Sequence, residues 1–142
     1  MNIIFVSSFG GHWVQLTRVA KLITYSRCTF VTTKCLKETE GSPTLTDFNF
    51  KNSYKSLNDL KKIYSTIKKI NPDVVLSTGA APGLLFLFIA SLMGKKTIWV
   101  DSIANCKKIS LSGKLAKLFC TKTLTQWPDL ETPEIRCIGR LL

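Results

Sequence analysis

Residues 2–16, NIIFVSSFGGHWVQL, decide the architecture. Asn2 to Ser7 is a continuous, mostly apolar run, the pattern of a strand buried on both faces, and it stops at a Ser/Gly cluster that turns the chain tightly. From His12 to Tyr25, Val14, Leu16, Val19, Ala20, Leu22 and Ile23 recur at mostly helical spacing. Cys28 to Thr33 is β-branched enough for a second strand. Strand, glycine turn, helix and strand make one βαβ unit, the building block of a parallel sheet.

The same punctuation returns downstream. Ser56 to Ile70 sets Leu57, Leu60, Ile63, Tyr64, Ile67 and Ile70 three or four residues apart, with Lys61, Lys62, Lys68 and Lys69 largely elsewhere around the helix, which predicts a basic outer face. Asn71-Pro72 ends that helix. Asp73 to Ser77 reads as a buried strand, Thr78 to Gly83 as a small-residue turn, and Leu84 to Met93 as an apolar helix closed by Gly94. Thr97 to Val100, Thr121 to Thr125 and Ile135 to Ile138 read as further strands, with a short helix from Ser112 to Phe119. Lys34 to Phe50 mixes Glu, Thr, Gly41 and Pro43 with a short run around Leu45 to Phe50, and reads as a loop carrying a minor strand. No repeat or linker divides the 142 residues, so one Rossmann-like α/β domain is expected over 1–142, its parallel sheet covered by helices on both faces.

Composition narrows the partners. Twenty Lys and Arg against nine Asp and Glu leave a net charge of +11, which favours phospholipid, nucleotide-sugar or nucleic acid. Trp13, Trp99 and Trp127 lack the basic-aromatic alternation of a base-stacking platform, and no nucleic-acid readout motif is present. The five cysteines, Cys28, Cys35, Cys106, Cys120 and Cys137, are odd in number and form no CxxC pair. With a single histidine beside them, they read as reduced, mostly buried thiols of a cytosolic protein, with no metal site. The opening MNIIFVSS lacks the basic leader of a signal peptide, and the longest apolar stretch, Ala80 to Met93, falls short of the ~20 residues of a spanning helix.

In an open parallel sheet, ligands bind beyond the carboxyl ends of the strands. Three stretches fall there. Ser8, Gly10 and Gly11 let backbone N–H groups approach an anion at a helix start, although a plain tight turn uses glycine equally well. His12 stands at the lip of that turn, suited to proton transfer or phosphate contact, or simply to a local hydrogen bond. Thr78, Gly79 and Ala80 repeat the arrangement, and small residues there also ease helix-on-sheet packing. Asp101 and Ser102 follow the strand TIWV, where a carboxylate can act as a base, bind sugar hydroxyls or cap the next helix. No third glycine completes GxGxxG, the second strand ends in Thr32-Thr33-Lys34 where an NAD site offers a carboxylate, and GxxxxGK[ST] is absent. Lys107, Lys108, Lys114 and Lys117, interleaved with Leu111, Leu115 and Leu118, form either a solvated face or a surface for an anionic membrane.

Taken in order, VSSFGGHWVQL (6–16), VLSTGAAPG (75–83), the strand leading to Asp101-Ser102, LSGKLAK (111–117) and TQWPDL (125–130) resemble a known family over nearly the whole chain. It is the membrane-associated, acceptor-side subunit of the two-part UDP-N-acetylglucosamine transferase of the dolichol pathway, with its bacterial capsule and exopolysaccharide counterparts. The resemblance implies the N-terminal half of a GT-B glycosyltransferase, similar to the lipid-linked peptidoglycan N-acetylglucosaminyltransferase, with the donor UDP-sugar bound chiefly by a second polypeptide like the C-terminal half. It implies a polyprenyl-diphosphate-linked saccharide as acceptor and no cofactor or metal. His12 and Asp101 become the catalytic candidates, and Ser8, Gly10, Gly11, Thr78, Gly79, Ala80 and Ser102 the substrate-binding ones. Many relatives carry Glu-Ser where this chain has Asp101-Ser102, a shorter reach with the same charge. Trp127, Pro128 and the tail from Ile138 through Leu141 to Leu142 match the region that meets the donor subunit. Many eukaryotic relatives begin with a spanning segment; this chain looks like a bacterial form, peripheral on the cytoplasmic face of the membrane. A non-catalytic adaptor for a competent donor subunit is the alternative role.

Overall fold

A computed structural model describes residues 1–141. Six strands, β1 (Asn2–Ser7), β2 (Arg27–Thr32), β3 (Val74–Ser77), β4 (Lys96–Val100), β5 (Lys122–Thr125) and β6 (Ile135–Cys137), form one parallel sheet in the order β2-β1-β3-β4-β5-β6. The helices are α1 (Gly11–Leu22), α2 (Leu57–Ile70), α3 (Ala80–Leu92) and α4 (Leu111–Ala116). This is the Rossmann-like parallel sheet that the alternating strand and helix patterns predict.

Alternation along β1 explains the layering. Ile3 and Phe5 pack with Leu16, Val19 and Ala20 of α1, whereas Ile4 and Val6 pack with Ile63 and Ile67 of α2 and with Leu84, Phe86 and Leu87 of α3. Strand β1 is therefore apolar on both faces, as its sequence reads. It pairs with β2 on one side and β3 on the other, so the winding direction reverses there. The loops after β1 and β3 diverge at that reversal and open a crevice at the carboxyl ends of the strands.

Several expectations are corrected. Helix α1 stops at Leu22 because Ile23 is extended, and it buries Gln15, Leu16, Val19 and Ala20, leaving Val14 and Leu22 exposed. No strand forms among residues 34–50. Instead the Leu45 side chain plugs the core, its N–H donates to the Thr32 carbonyl, and the Thr46 N–H donates to the Asp59 carboxylate at 2.7 Å. The segment is thus pinned to the end of β2 and the start of α2, with 3-10 turns at Lys37–Thr39 and Phe50–Ser56 on either side. Helix α3 starts at Ala80, taking Pro82 into its first turn, where proline's missing N–H is no loss. The cysteines are free thiols but not mostly buried: Cys28, Cys35 and Cys106 are exposed, Cys120 and Cys137 half-buried, since they sit in loops or on the edge strands β2 and β6 or beside α4. On α2, Leu57, Leu60 and Tyr64 are exposed, an apolar stripe wider than the face the sheet covers.

Candidate functional site

Two glycine turns lie side by side at the reversal point. Gly10 has φ 108° and ψ −141°, and Gly79 has φ 147° and ψ 179°, backbone states that residues with a Cβ rarely adopt. Each glycine directly precedes a helix, α1 or α3, and neither helix receives a capping side chain. Two positive dipole ends with uncapped N–H groups therefore converge, an arrangement suited to an anion.

The turns are braced to each other by His12 and Thr78. Thr78 Oγ1 donates to the His12 carbonyl at 2.7 Å, and His12 Nδ1 lies 3.0 Å from the Thr78 carbonyl oxygen. A carbonyl only accepts, so Nδ1 carries the hydrogen, and Nε2 is the ring atom left to meet a ligand. Gly79 packs flat against that ring: a Cβ placed there would lie 2.1 Å from Nδ1 and 2.3 Å from Cε1. Close approach and backbone conformation both demand glycine.

Asp101, 1 % exposed, is committed within the chain. Its carboxylate accepts from Trp99 Nε1 at 3.2 Å, from Asn105 Nδ2 at 3.3 Å, from the Ser110 N–H at 3.0 Å and from the Ser110 hydroxyl. Ser110 in turn caps α4, its Oγ accepting from the Gly113 N–H at 2.9 Å. The carboxylate thereby shapes the loop from 101 to 110, and a role as base would require it to leave four donors.

His12, Gly79, Ala80, Asp101 and Ser102 come together along one cleft of about 270 Å³, to which Asn105, Ser110 and Ser112 contribute further polar groups. Thr78 is buried behind His12, Ser8 is buried at the end of β1, and Gly10 and Gly11 are exposed at the start of α1, outside the cleft lining. A second, apolar cleft of about 570 Å³ begins one residue further along α3, at Ala81, and runs between Leu84, Phe88, Leu115, Leu118 and Phe50. Ser112 in the first cleft and Leu115 in the second sit one turn apart on α4, so polar and apolar spaces adjoin.

The expected interface residues separate into two kinds. Pro128 and Ile138 are exposed. Trp127 is half-buried, donating from Nε1 to the Ile103 carbonyl at 2.8 Å with Arg140 stacked on its ring. Leu141 packs against the α1-side core, its carbonyl accepting from Arg18 at 2.9 Å. These two are thus engaged within the chain, and Leu142 lies outside the described residues. Sequence patterns alone pass over Gln15 and Gln126, both buried beneath Ser102. The available signal is a glutamine on the apolar face of α1, since a buried amide requires partners. Among the described residues, no three His, Cys, Asp or Glu side chains converge as metal ligands do.

A family model for oligosaccharide biosynthesis proteins, Alg14-like, matches residues 50–141. The chain belongs to this Alg14-like family. The UDP-N-acetylglucosamine transferase subunit alg14 of Schizosaccharomyces pombe is 43% identical over 68 residues, covering 43% of this chain and 31% of the relative. The ALG14 subunit of Eremothecium gossypii is 35% identical over 65 residues, covering 42% and 29%. The matches thus span about a third of the length of these relatives. Among solved structures, Acinetobacter baumannii MurG superposes with a TM-score of 0.75 at 13% identity, over 97% of this chain and 45% of that one. The UDP-GlcNAc 2-epimerase of Methanocaldococcus jannaschii gives 0.74 at 13% identity, over 99% and 46%. The fold is one half of a GT-B arrangement.

Proposed function

We propose that this chain is the acceptor-binding, membrane-recruiting subunit of a two-chain glycosyltransferase in capsule or exopolysaccharide biosynthesis. A partner resembling the C-terminal half of a GT-B enzyme would hold the UDP-sugar, and this chain a polyprenyl-diphosphate-linked saccharide. The supporting observation is the junction at the first turn of α3, where a cleft at two uncapped helix starts adjoins an apolar cleft. An anionic head with a hydrocarbon tail fits that pairing. Membership in the Alg14-like family and relatives named as transferase subunits support the same reading.

In this mechanism the acceptor saccharide's hydroxyl oxygen bonds to the anomeric carbon as the bond from that carbon to the UDP oxygen breaks. His12 Nε2 takes the hydroxyl proton, and UDP departs with the electron pair. Helix-end N–H groups hold the acceptor diphosphate, and helix dipoles with basic residues offset the charge of the leaving UDP, so the transfer calls for no metal. Asp101 keeps the cleft wall in place. The exposed apolar residues Leu111 and Leu118, with Lys107, Lys108, Lys114 and Lys117, suit peripheral attachment at the cytoplasmic face of the membrane. No helix of the described residues is long and apolar enough to cross a membrane.

The test is transfer from a UDP-sugar to a polyprenyl-diphosphate saccharide by the purified pair. His12→Ala is expected to reduce turnover by about 100-fold or more while the pair stays assembled. Full activity of the donor subunit alone would establish the adaptor role instead, and tight UDP-sugar binding with unaided transfer by this chain would refute the division of labour.

A further inference from the structure

Directional hydrogen bonding beneath the cleft fixes where one proton points. Gln126, fully buried, meets the Leu141 N–H at 3.1 Å on one side of its amide and the Asp101 carbonyl at 3.0 Å on the other. The first can only donate and the second only accept, so Gln126 has one possible orientation, with Oε1 toward Leu141 and Nε2 toward Asp101. Its Nε2 also donates to Gln15 Oε1 at 2.8 Å. That oxygen accepts the Ile103 N–H as well, at 3.2 Å, so Gln15 is fixed in turn and must present Nε2 to Ser102 Oγ, 3.1 Å away. Ser102 Oγ accepts a second hydrogen bond from the Ala104 N–H at 3.3 Å. Both of its lone pairs are then occupied, and its single proton remains to be donated. Ser102 lines the cleft with His12.

We infer that Gln126 and Gln15 are positioning residues, a two-amide relay that sets the Ser102 hydroxyl as a hydrogen-bond donor to an acceptor oxygen bound in the cleft. The ligand class is an oxyanion, and with the diphosphate reading above, which this inference deepens, it is a diphosphate oxygen. Charge-assisted donation to such an oxygen is stronger than donation to a neutral one, so the direction of this one proton matters to binding.

The substitution Gln126→Glu inverts the relay. The introduced carboxylate still accepts from Leu141, but it repels Gln15 Oε1. The Gln15 amide then turns over to donate to that carboxylate, its oxygen swings toward Ser102 and captures the hydroxyl proton, and the Ile103 N–H loses its acceptor. Two measurements on the purified full-length chain read this. First, amide hydrogen exchange at Ile103 is expected to rise about tenfold in Gln126→Glu, the factor that goes with losing one ordinary hydrogen bond, while amides of β1 and β3 stay unchanged. Second, with inorganic diphosphate as probe, Ser102→Ala is expected to weaken binding about tenfold in the natural sequence and by less than about twofold in the Gln126→Glu background, where the proton is already diverted. Should Gln126→Glu not fold, Gln15→Glu diverts the proton directly, since its second carboxylate oxygen replaces Nε2 and takes the Ser102 hydroxyl proton; the Ser102→Ala penalty is then read in that background, with the same expectation of less than about twofold.

Unchanged Ile103 exchange, or a Ser102→Ala penalty equal in both backgrounds, would overturn the relay. If the natural sequence binds no diphosphate, the diphosphate reading fails, and Ile103 exchange alone still decides the orientation of the two amides.

Discussion

Gly79→Ala tests the braced pair of turns most directly. The new methyl would meet the His12 ring at 2.1 Å from Nδ1 and 2.3 Å from Cε1, while the backbone stays at φ 147°. Holding alanine in that region costs on the order of 1–3 kcal/mol. Displacing the ring forfeits the Nδ1 hydrogen bond to Thr78, about 1 kcal/mol more. Together these predict about 2–4 kcal/mol of lost stability, or a fall of roughly 5–15 °C in the unfolding midpoint for a chain of this size. Turnover of the two-subunit enzyme is expected to fall about 100-fold, because the imidazole leaves its place. Thermal unfolding monitored by circular dichroism gives the first quantity and initial rates give the second. The decisive comparison is with His12→Ala combined with Gly79→Ala. Removing the ring removes the collision and the bond already lost, so the double variant is expected to be as stable as Gly79→Ala alone, or more so. Penalties that simply add, within about 0.5 kcal/mol, would refute the claim that the ring is what Gly79 accommodates.

Asp101→Asn keeps the shape but turns one acceptor oxygen into a donor facing other donors; a loss of about 2–3 kcal/mol in urea unfolding is expected. Burial pushes the Cys120 thiol up to about 11, with a hydrogen bond to Thr97 acting the other way. An unfolded thiol ionises near about 8.5, so the protonated form's contribution is intact below that pH and disappears as pH rises through the folded value. Stability should therefore decline from about pH 9 to 11, and Cys120→Ala should flatten that decline. At pH 8, iodoacetamide should label the exposed Cys28, Cys35 and Cys106 well before Cys120. Leu118, 74 % exposed at the mouth of the apolar cleft, should tolerate Glu without unfolding. Sedimentation with phosphatidylglycerol vesicles should nevertheless weaken about tenfold or more, and unchanged binding would remove this face from the membrane surface.

The strands are the most legible part of the molecule. Each buried strand is a short apolar run bounded by Gly, Pro or Ser, and the residues near the reversal point can be named from two glycine turns and a carboxylate after TIWV. Residues 34–50 mislead because Leu45 is anchored through Thr32 and Asp59, distant partners that no local pattern encodes. The start of α3 falls earlier than its apolar run suggests because Gly79 at φ 147° and Ala80 at φ 65° take up the reversal between them, which leaves Ala81 to Gly83 free to wind. Within the candidate site, the sequence separates residue types but not their employment. Asp101 has the look of a base until its four donors are seen, and Gln15 and Gln126 acquire meaning only when α1, the β4 loop and the end of β5 are brought together.

The His12–Thr78 brace also bears on how such a protein can drift. Each side chain bonds to the main-chain oxygen of the other position, and that oxygen is present whatever residue occupies it. A change at 78 leaves the acceptor of His12 in place, and a change at 12 leaves that of Thr78. The two positions should therefore wander separately through evolutionary time, without the paired replacements that two mutually dependent side chains impose on each other.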